Sequence, residues 1–238
     1  MTTVLITGAS RGLGLEHARQ FAARGFRVVA TCRSRDAPGA LGDVARAHGD
    51  DVEILDYEAG DLASADRVAA ALGGTPIDIL INNAGIYGAA NFVDGMEAQS
   101  LGSIDYENWR NVLQVNLLAP MRLTEALIEN IAASERRIVA MMSSDLGSIE
   151  NNRMGQSYAY RSSKAALNMM TKGLSVNLKE RGVIAVSLAP GWCRTDLGGD
   201  IAEIDPADSV RGQQAVLDQL TLDDTGRFIN WMGQDTPW

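Results

Sequence analysis

Tyr160 and Lys164 stand four residues apart in a stretch, Ser157 to Asn168, that contains no proline or glycine and favours a helix. Side chains at positions i and i+4 of a helix lie on the same face, so a phenol and an ammonium group would meet there. A nearby cation favours the phenolate and is expected to lower the phenol pKa from its usual value of about 10. The pair therefore predicts a proton donor and acceptor that works near neutral pH. Because the same spacing occurs on ordinary solvated helix faces, this interpretation depends on the elements around the pair.

A glycine-rich turn near the amino terminus predicts a phosphate site. Thr3 to Thr7 is an apolar run typical of a buried strand, and residues 15–24 carry the apolar face of a helix. Strand, turn and helix in this order present backbone N–H groups and a helix N-terminus to a phosphate. The glycines, Gly8, Gly12 and Gly14, differ from the usual G-x-G-x-x-G dinucleotide fingerprint. An ordinary glycine-rich loop is the alternative interpretation.

The rest of the chain alternates between short apolar runs and helical patterns. This alternation predicts a doubly wound α/β domain of Rossmann type, with a mainly parallel seven-stranded sheet and helices on both faces. Ligands of such sheets bind beyond the carboxyl ends of the strands. The predicted strands are 3–7, 26–32, 52–55, 77–81, 137–142, 183–188 and 228–231, and the predicted helices lie around 15–24, 62–72, 105–131 and 158–181. The segments expected at that rim are 8–14, Arg33, 82–85, 143–144 and 190–191.

The composition of the chain argues against several classes of function. The 238 residues suit one domain, 1–238, and 46% hydrophobic residues suffice for a core. A net charge of −9 argues against binding of nucleic acid or an anionic membrane, and no apolar run approaches the length of a membrane span. The two cysteines and two histidines show no metal-site spacing. A cytoplasmic, metal-free protein is the expectation.

Several motifs in order resemble the short-chain dehydrogenase/reductase family, over the whole chain. They are Thr7-Gly-x-x-x-Gly-x-Gly14, Asn82-Asn-Ala-Gly85, Asn116, Ser144, Tyr160-x-x-x-Lys164 and Pro190-Gly191. The segments 142–149, 158–168 and 190–196 and the ending Pro237-Trp238 resemble, more closely, the branch with the C-factor signalling protein and sniffer-type carbonyl reductases. The resemblance implies hydride transfer between a nicotinamide cofactor and a carbonyl or alcohol carbon.

The resemblance also implies the catalytic roles. Tyr160 would donate or remove the proton, and Lys164 would lower the phenol pKa and bind the nicotinamide ribose. Ser144 would bind the substrate oxygen, although it lies 16 residues before the tyrosine where the family usually has about 13. The polar stretch 149–156 can absorb the difference as a loop. Ser143 is expected to point away, and Tyr158 has Ser162 rather than a lysine four residues on.

Asn116 precedes Pro120 by one helical turn. Proline has no N–H, so the carbonyl of Asn116 loses its helical partner and the helix should distort there. The freed carbonyl could hold a water and relay protons from Lys164 to solvent. A proline kink that serves only packing is the alternative.

The predicted cofactor is NADP(H). Members of the family that bind NAD carry an acid at the end of the second strand, where this chain has Cys32 followed by Arg33, with Arg35 and Arg11 nearby. Guanidinium groups bind phosphate well, so we expect them at the 2′-phosphate, unless they are only surface charges. The expected cofactor-binding residues are Gly8, Ser10, Arg11, Gly12, Leu13, Gly14, Arg33, Asp61, Leu62, Asn83, Ala84, Gly85, Tyr160, Lys164, Pro190, Gly191 and Thr195. Asp56 is the alternative to Asp61 at the adenine.

The substrate is expected to be a small carbonyl compound or its alcohol. Its pocket should be formed by 87–96, 145–157 and 192–207, which carry the apolar side chains Tyr87, Phe92, Met154, Trp192 and Leu197. By family analogy, the helices at 105–131 and 158–181 should pair copies into a homodimer or homotetramer. The alternative function is a dinucleotide-binding signalling or redox-sensing protein with vestigial activity. A hydrolase would need a histidine at the rim, where neither His17 nor His48 is expected.

Overall fold

The computed structural model describes residues 1–88 and 90–238. Its seven named strands form one sheet in the order β3-β2-β1-β4-β5-β6-β7, and all neighbouring pairs are parallel. This arrangement confirms the predicted doubly wound, Rossmann-type fold. The strands are β1 Thr3–Ile6, β2 Arg27–Cys32, β3 Val52–Asp56, β4 Ile79–Asn82, β5 Ile138–Met142, β6 Ile184–Ala189 and β7 Phe228–Asn230.

The central strands are continuously apolar because helices cover both faces of the sheet. Val4 and Ile6 of β1 belong to one buried cluster, while Leu5 between them belongs to the other. The described helices are α1 Gly12–Ala23, α2 Ala40–His48, α3 Ser64–Leu72, α4 Phe92–Gly95, α5 Tyr106–Leu113, α6 Ala119–Ala132, α7 Tyr158–Asn177 and α8 Pro206–Gln219. Side chains of α1, α2 and α8 join the first cluster, and those of α3, α6 and α7 join the second.

The structure differs from the sequence prediction mainly in its helices. Helix α1 begins at Gly12, inside the glycine turn, rather than at residue 15. The predicted helix over 105–131 consists of α5, a π-helical segment Gln114–Leu118, and α6. Helices α2, α4 and α8 were not predicted. None of the helices in residues 1–88 and 90–238 is long and apolar enough to cross a membrane.

Candidate active site

The turn between β1 and α1 has room only for glycine at two positions. A side-chain carbon at Gly14 would lie 2.4 Å from the carbonyl oxygen of Gly8 and 2.5 Å from Nδ2 of Asn83. Gly8 has a left-handed φ of 65°, and a side-chain carbon there would lie 3.0 Å from Cα of Ala84. No side chain caps the first turn of α1 at Arg11. Its N–H groups therefore face the turn, as a phosphate-binding helix N-terminus requires.

Thr7 and Asn83 hold this turn against the end of β4. The Thr7 hydroxyl accepts the N–H groups of Asn83 and Ala84, each at 2.9 Å. The Asn83 amide donates to the carbonyls of Thr7 at 2.8 Å and Gly8 at 3.3 Å. Because its side-chain N–H groups and its backbone N–H are engaged, Asn83 has only oxygen atoms left to offer a ligand. Next in the chain, Gly85 lies beside Asn116 and Lys164: a side-chain carbon there would be 3.3 Å from Oδ1 and 3.5 Å from Nζ.

Arginines near the expected adenosine end differ in their partners. Arg35 pairs with Asp56 at 3.6 Å, and the same carboxylate accepts the Arg35 N–H at 2.6 Å. Arg11 pairs with Asp196 at 2.8 Å, on the loop after β6. Arg33 is exposed, and no carboxylate pairs with it in the described chain. Of the three, Arg33 is the guanidinium that a phosphate could take without breaking an ion pair.

Asp61 and Leu62 follow β3 at the same edge. The Asp61 carboxylate accepts bonds from the Arg67 guanidinium at 2.7 Å and the Ala63 N–H at 3.0 Å, and these bonds lower its pKa. Leu62 packs against the second core cluster. Both candidate acids are paired with an arginine: Asp56 with Arg35, and Asp61 with Arg67. The two therefore differ in their position along the chain and not in their ion pairing.

Tyr160 and Lys164 are both buried on α7, with the Lys164 Nζ 5.6 Å from the centre of the phenol ring. That Nζ donates to the carbonyl of Met142, at the end of β5, at 2.7 Å. Burial raises the pKa of Tyr160 to about 12, against an opposing effect of the Ser144 hydroxyl, and lowers the pKa of Lys164 to about 8. The predicted lowering of the phenol pKa by the lysine is therefore wrong for this structure. Loss of water from the buried phenol is the largest cause of the raised pKa, and the Ser144 hydroxyl opposes it only in part.

The two serines after β5 point in different directions. The Ser143 hydroxyl donates to Oδ1 of Asn168 at 2.6 Å. Ser144 accepts the N–H of Leu146 at 3.2 Å, and it interacts with the phenol of Tyr160. The intervening residues 149–157 contain no regular helix or strand, so a loop absorbs the longer spacing. The structure thus brings Ser144, rather than Ser143, to Tyr160.

Asn116 lies within the π-helical segment, one turn before Pro120. Its side chain accepts the N–H of Ile86 at 2.9 Å and donates to the carbonyl of Ile86 at 2.8 Å and to Ser163 at 3.0 Å. The predicted distortion is present, and the carbonyl of Asn116 receives nothing from Pro120. Asn116 thereby ties the loop after β4 to the helix that carries Tyr160.

The loop after β6 closes the other side of the rim. Gly191 has a φ of 76°, and a side-chain carbon there would lie 2.4 Å from Ile204. The carbonyl of Pro190 accepts the Ser209 hydroxyl at 2.7 Å. Thr195 lies beside the glycine turn, since a side-chain carbon at Gly12 would be 3.5 Å from its methyl group. Thr195 of this loop therefore faces the glycine turn, whereas Pro190 and Gly191 contact Ser209 and Ile204.

Aromatic side chains line the space next to Tyr160. The ring of Tyr87 lies 5.1 Å from that of Tyr160, and Phe92 and Trp192 continue the row at 5.4 and 5.6 Å. The Phe92 N–H donates to the carbonyl of Leu197 at 2.9 Å, which joins the loops after β4 and β6. Met154, by contrast, is exposed on the loop after Ser144.

Sequence reasoning gave no role to Asp145, which follows Ser144. Its carboxyl group is partly desolvated although the residue is exposed, and this raises its pKa. Its charge also raises the pKa of Tyr160. A single acid in a loop carries no spacing signal, so only the structure could bring it to the phenol. In residues 1–88 and 90–238, no three acidic, cysteine or histidine side chains cluster as a metal site.

Comparison with known proteins agrees with this geometry. The family described as short chain dehydrogenase matches residues 2–205. The C-signal protein of Myxococcus xanthus is 40% identical over 163 residues, which cover 68% of this chain and 93% of that protein. The carbonyl reductase Sniffer of D. melanogaster has a TM-score of 0.89 and 31% identity, with both chains covered completely. The NADPH-bound carbonyl reductase from chicken fatty liver has a TM-score of 0.90 and 32% identity, over 100% of this chain and 99% of that one. The chain therefore belongs to the short-chain dehydrogenase/reductase family, in the branch of the C-signal and Sniffer proteins.

Proposed function

We propose that the protein is an NADP(H)-dependent oxidoreductase that reduces a ketone or aldehyde, or oxidises the corresponding alcohol, by hydride transfer. The observation that carries the proposal is the cluster of the half-buried Ser144 with the buried Tyr160 and Lys164 at the carboxyl end of the sheet. It faces the same rim as the glycine turn, where the fold places its ligands.

The groove suits a dinucleotide phosphate. The open first turn of α1, Gly8 and Gly14 would hold the pyrophosphate. Arg33 would meet the 2′-phosphate, and Arg11 could join it only by leaving Asp196. Similar carbonyl reductases were crystallised with NADPH or NADP, which supports this cofactor. When bound, NADPH supplies the hydride. The residues that would line the rest of the groove are Ser10, Gly12, Leu13, Asp61, Leu62, Asn83, Ala84, Gly85, Pro190, Gly191 and Thr195.

Tyr160 would act as the general acid of the reduction. With a pKa of about 12 the phenol is protonated at neutral pH, so it can give its proton to the developing alkoxide. Ser144, beside it, would donate a hydrogen bond to the same oxygen and hold the carbonyl in place. With a pKa of about 8, Lys164 is mostly charged at pH 7 and would stabilise the phenolate left behind.

Asn116 would complete the proton path. Its side chain is engaged by hydrogen bonds to Ile86 and Ser163. Its backbone carbonyl receives no hydrogen bond from Pro120, because proline has no N–H, so this carbonyl is the group that could hold a water. A water there would pass a proton from solvent toward Lys164, whose Nζ lies beside Gly85, as does the side chain of Asn116.

The aromatic row of Tyr87, Phe92 and Trp192 favours a substrate with an apolar body beside its carbonyl group. Copies of the chain would associate as a homodimer or homotetramer through α5, α6 and α7. Tyr106, Met169 and Val176 give these helices exposed apolar surface, which supports this arrangement. The chain would act as a single domain, 1–238.

The test is single-turnover oxidation of NADPH with the best substrate from a panel of aldehydes, ketones and quinones. Tyr160→Phe keeps the ring and removes the hydroxyl, so the rate should fall about 10²–10⁴-fold while NADPH still binds. Tyr158→Phe is the matched control, since Tyr158 has no lysine one turn on and is partly exposed. A normal rate in Tyr160→Phe would reject the catalytic assignment. If the unaltered protein binds NADPH and reduces nothing on the panel, a signalling or redox-sensing role replaces the reductase.

A further inference from the structure

The amino end of α7, which carries Tyr160, is not capped by the residue that precedes it. The first N–H groups of a helix have no partner within the helix. Ser157, just before α7, adopts a left-handed conformation with φ 50° and ψ 37°, and its side chain makes no capping bond. Its hydroxyl bonds instead to the hydroxyl of Tyr87, at 2.6 Å. The helix must therefore find an acceptor elsewhere in the chain.

Gln99 provides that acceptor from 61 residues away. It lies in the short turn Glu97–Gln99 between β4 and α5, and it is only 3% exposed. Its Oε1 accepts the backbone N–H of Tyr160 at 2.9 Å, while its Nε2 donates to the carbonyl of Tyr87 at 2.8 Å. The two partners fix the direction of the amide, because a reversed amide would set donor against donor and acceptor against acceptor.

We propose that Gln99 is a positioning residue for Tyr160, an inference that rests on the proposed role of this tyrosine as general acid. Gln99 holds the backbone of Tyr160 and, through its other end, the backbone of Tyr87. The ring of Tyr87 forms the wall 5.1 Å from the phenol ring. One buried side chain therefore sets the position of the proton donor relative to the pocket wall.

The surroundings of Gln99 leave the amide little freedom. A side-chain carbon at Gly88 would lie 2.9 Å from its Nε2. Hydrogen bonds join Gln99 to Tyr160 and Tyr87, and Tyr87 to Ser157, which lies three residues before Tyr160 in the chain; all four side chains are buried. Small displacements of a catalytic group are costly to the reaction, so loss of this bond should reduce turnover more than cofactor binding.

Three substitutions test the two hydrogen bonds of the Gln99 amide. Gln99→Met keeps the approximate shape and removes both hydrogen bonds. Gln99→Asn keeps the amide but is one methylene too short to reach both partners. Gln99→Glu keeps the length of the side chain and an acceptor for the Tyr160 N–H, and burial favours its protonated form, whose hydroxyl can donate to the carbonyl of Tyr87.

The first measurement is hydrogen exchange at the Tyr160 amide in the full-length protein with NADPH present. Gln99→Met should speed exchange at least about tenfold, whereas Gln99→Glu should stay within about threefold of the unaltered protein. Gln20→Met is the matched control, because Gln20 binds Ala207 on the far side of the fold and should leave Tyr160 unaffected. Unchanged exchange in Gln99→Met, or in Gln99→Asn should the first variant fail to fold, overturns the proposal. This measurement does not depend on whether the protein reduces carbonyls.

The second measurement is steady-state reduction. Gln99→Met should lower kcat at least about tenfold with the NADPH Kd within about twofold. Gln99→Glu, the conservative variant, should retain most of kcat. Normal kcat in folded Gln99→Met, or a loss of kcat in Gln99→Glu as large as that in Gln99→Met, also overturns the inference. An unaltered protein that reduces nothing would reject the reductase and leave the exchange result to decide the role of Gln99.

Discussion

His17 should make the stability of this protein fall steeply in mild acid. It lies on α1, fully buried, with Nε2 3.1 Å from Oε1 of Gln213 on α8, and Nδ1 has no partner within the described chain. Burial lowers its pKa from 6.5 to about 4, with the Gln213 bond opposing the shift. The folded protein therefore keeps this imidazole neutral at a pH where the unfolded chain would bind a proton.

The sign and size of the change in the free energy of unfolding follow from that difference in protonation. Above pH 6.5 the imidazole is neutral in both states, and it places no cost on folding. As the pH falls, only the unfolded chain gains the proton, so the free energy of unfolding decreases. The loss is about 2 kcal/mol at pH 5 and about 3 kcal/mol at pH 4, and it levels off below. For a domain of ordinary stability, that is a substantial fraction of the total.

The assay is urea unfolding at several pH values between 7 and 5, a window above the ordinary pKa range of most carboxyl groups. His17→Leu removes the titrating group, so its free energy of unfolding should start lower at pH 7 but change much less down to pH 5. His48→Asn, which removes the other imidazole at the end of α2, should keep the slope of the unaltered protein. A slope in His17→Leu as steep as that of the unaltered protein would show that another group causes the loss.

Two further predictions concern the rim. Arg33→Asp should weaken NADPH binding about 10–100-fold in fluorescence titrations and spare NADH, because it removes a charge-assisted bond to the 2′-phosphate. Arg35→Ala should have a much smaller effect, since Arg35 is engaged with Asp56; equal losses for NADPH and NADH would contradict the argument. Asp145→Asn should lower the pKa of Tyr160 in a spectrophotometric titration of the phenol, because the nearby negative charge is gone. Asp145→Glu should leave this titration in place, and an unmoved titration in Asp145→Asn would exclude the influence of Asp145.

Local patterns in the sequence were enough for the sheet and for most of the helices. Parallel strands that are buried on both faces appear in the sequence as continuous apolar runs. Such runs can be identified without knowing which distant residues pack against them. Helix α8 was missed because several polar side chains, Ser209, Gln213 and Gln214, are buried on it, which weakens its apolar periodicity. Its start did carry a signal: Asp205 caps the helix by accepting the N–H of Ala207, and Pro206 follows.

The positions of the motif residues were also predictable, whereas their electrostatics were not. The spacing of Tyr160 and Lys164 places both on one face of α7, as helix geometry requires. The spacing says nothing of how much water remains there. Burial decides the direction of the Tyr160 pKa, and burial is a property of the packed sheet and its helices.

By itself, the sequence determined the fold class, the glycine turn and the order of the motifs, because each depends on residues close together in the chain. Only the tertiary structure decided which groups meet across the rim: Arg11 with Asp196, His17 with Gln213, and Gln99 with the backbone of Tyr160. These partners are 185, 196 and 61 residues apart. No periodicity encodes such pairs, since they form where the strand order brings separate loops and helices to one place.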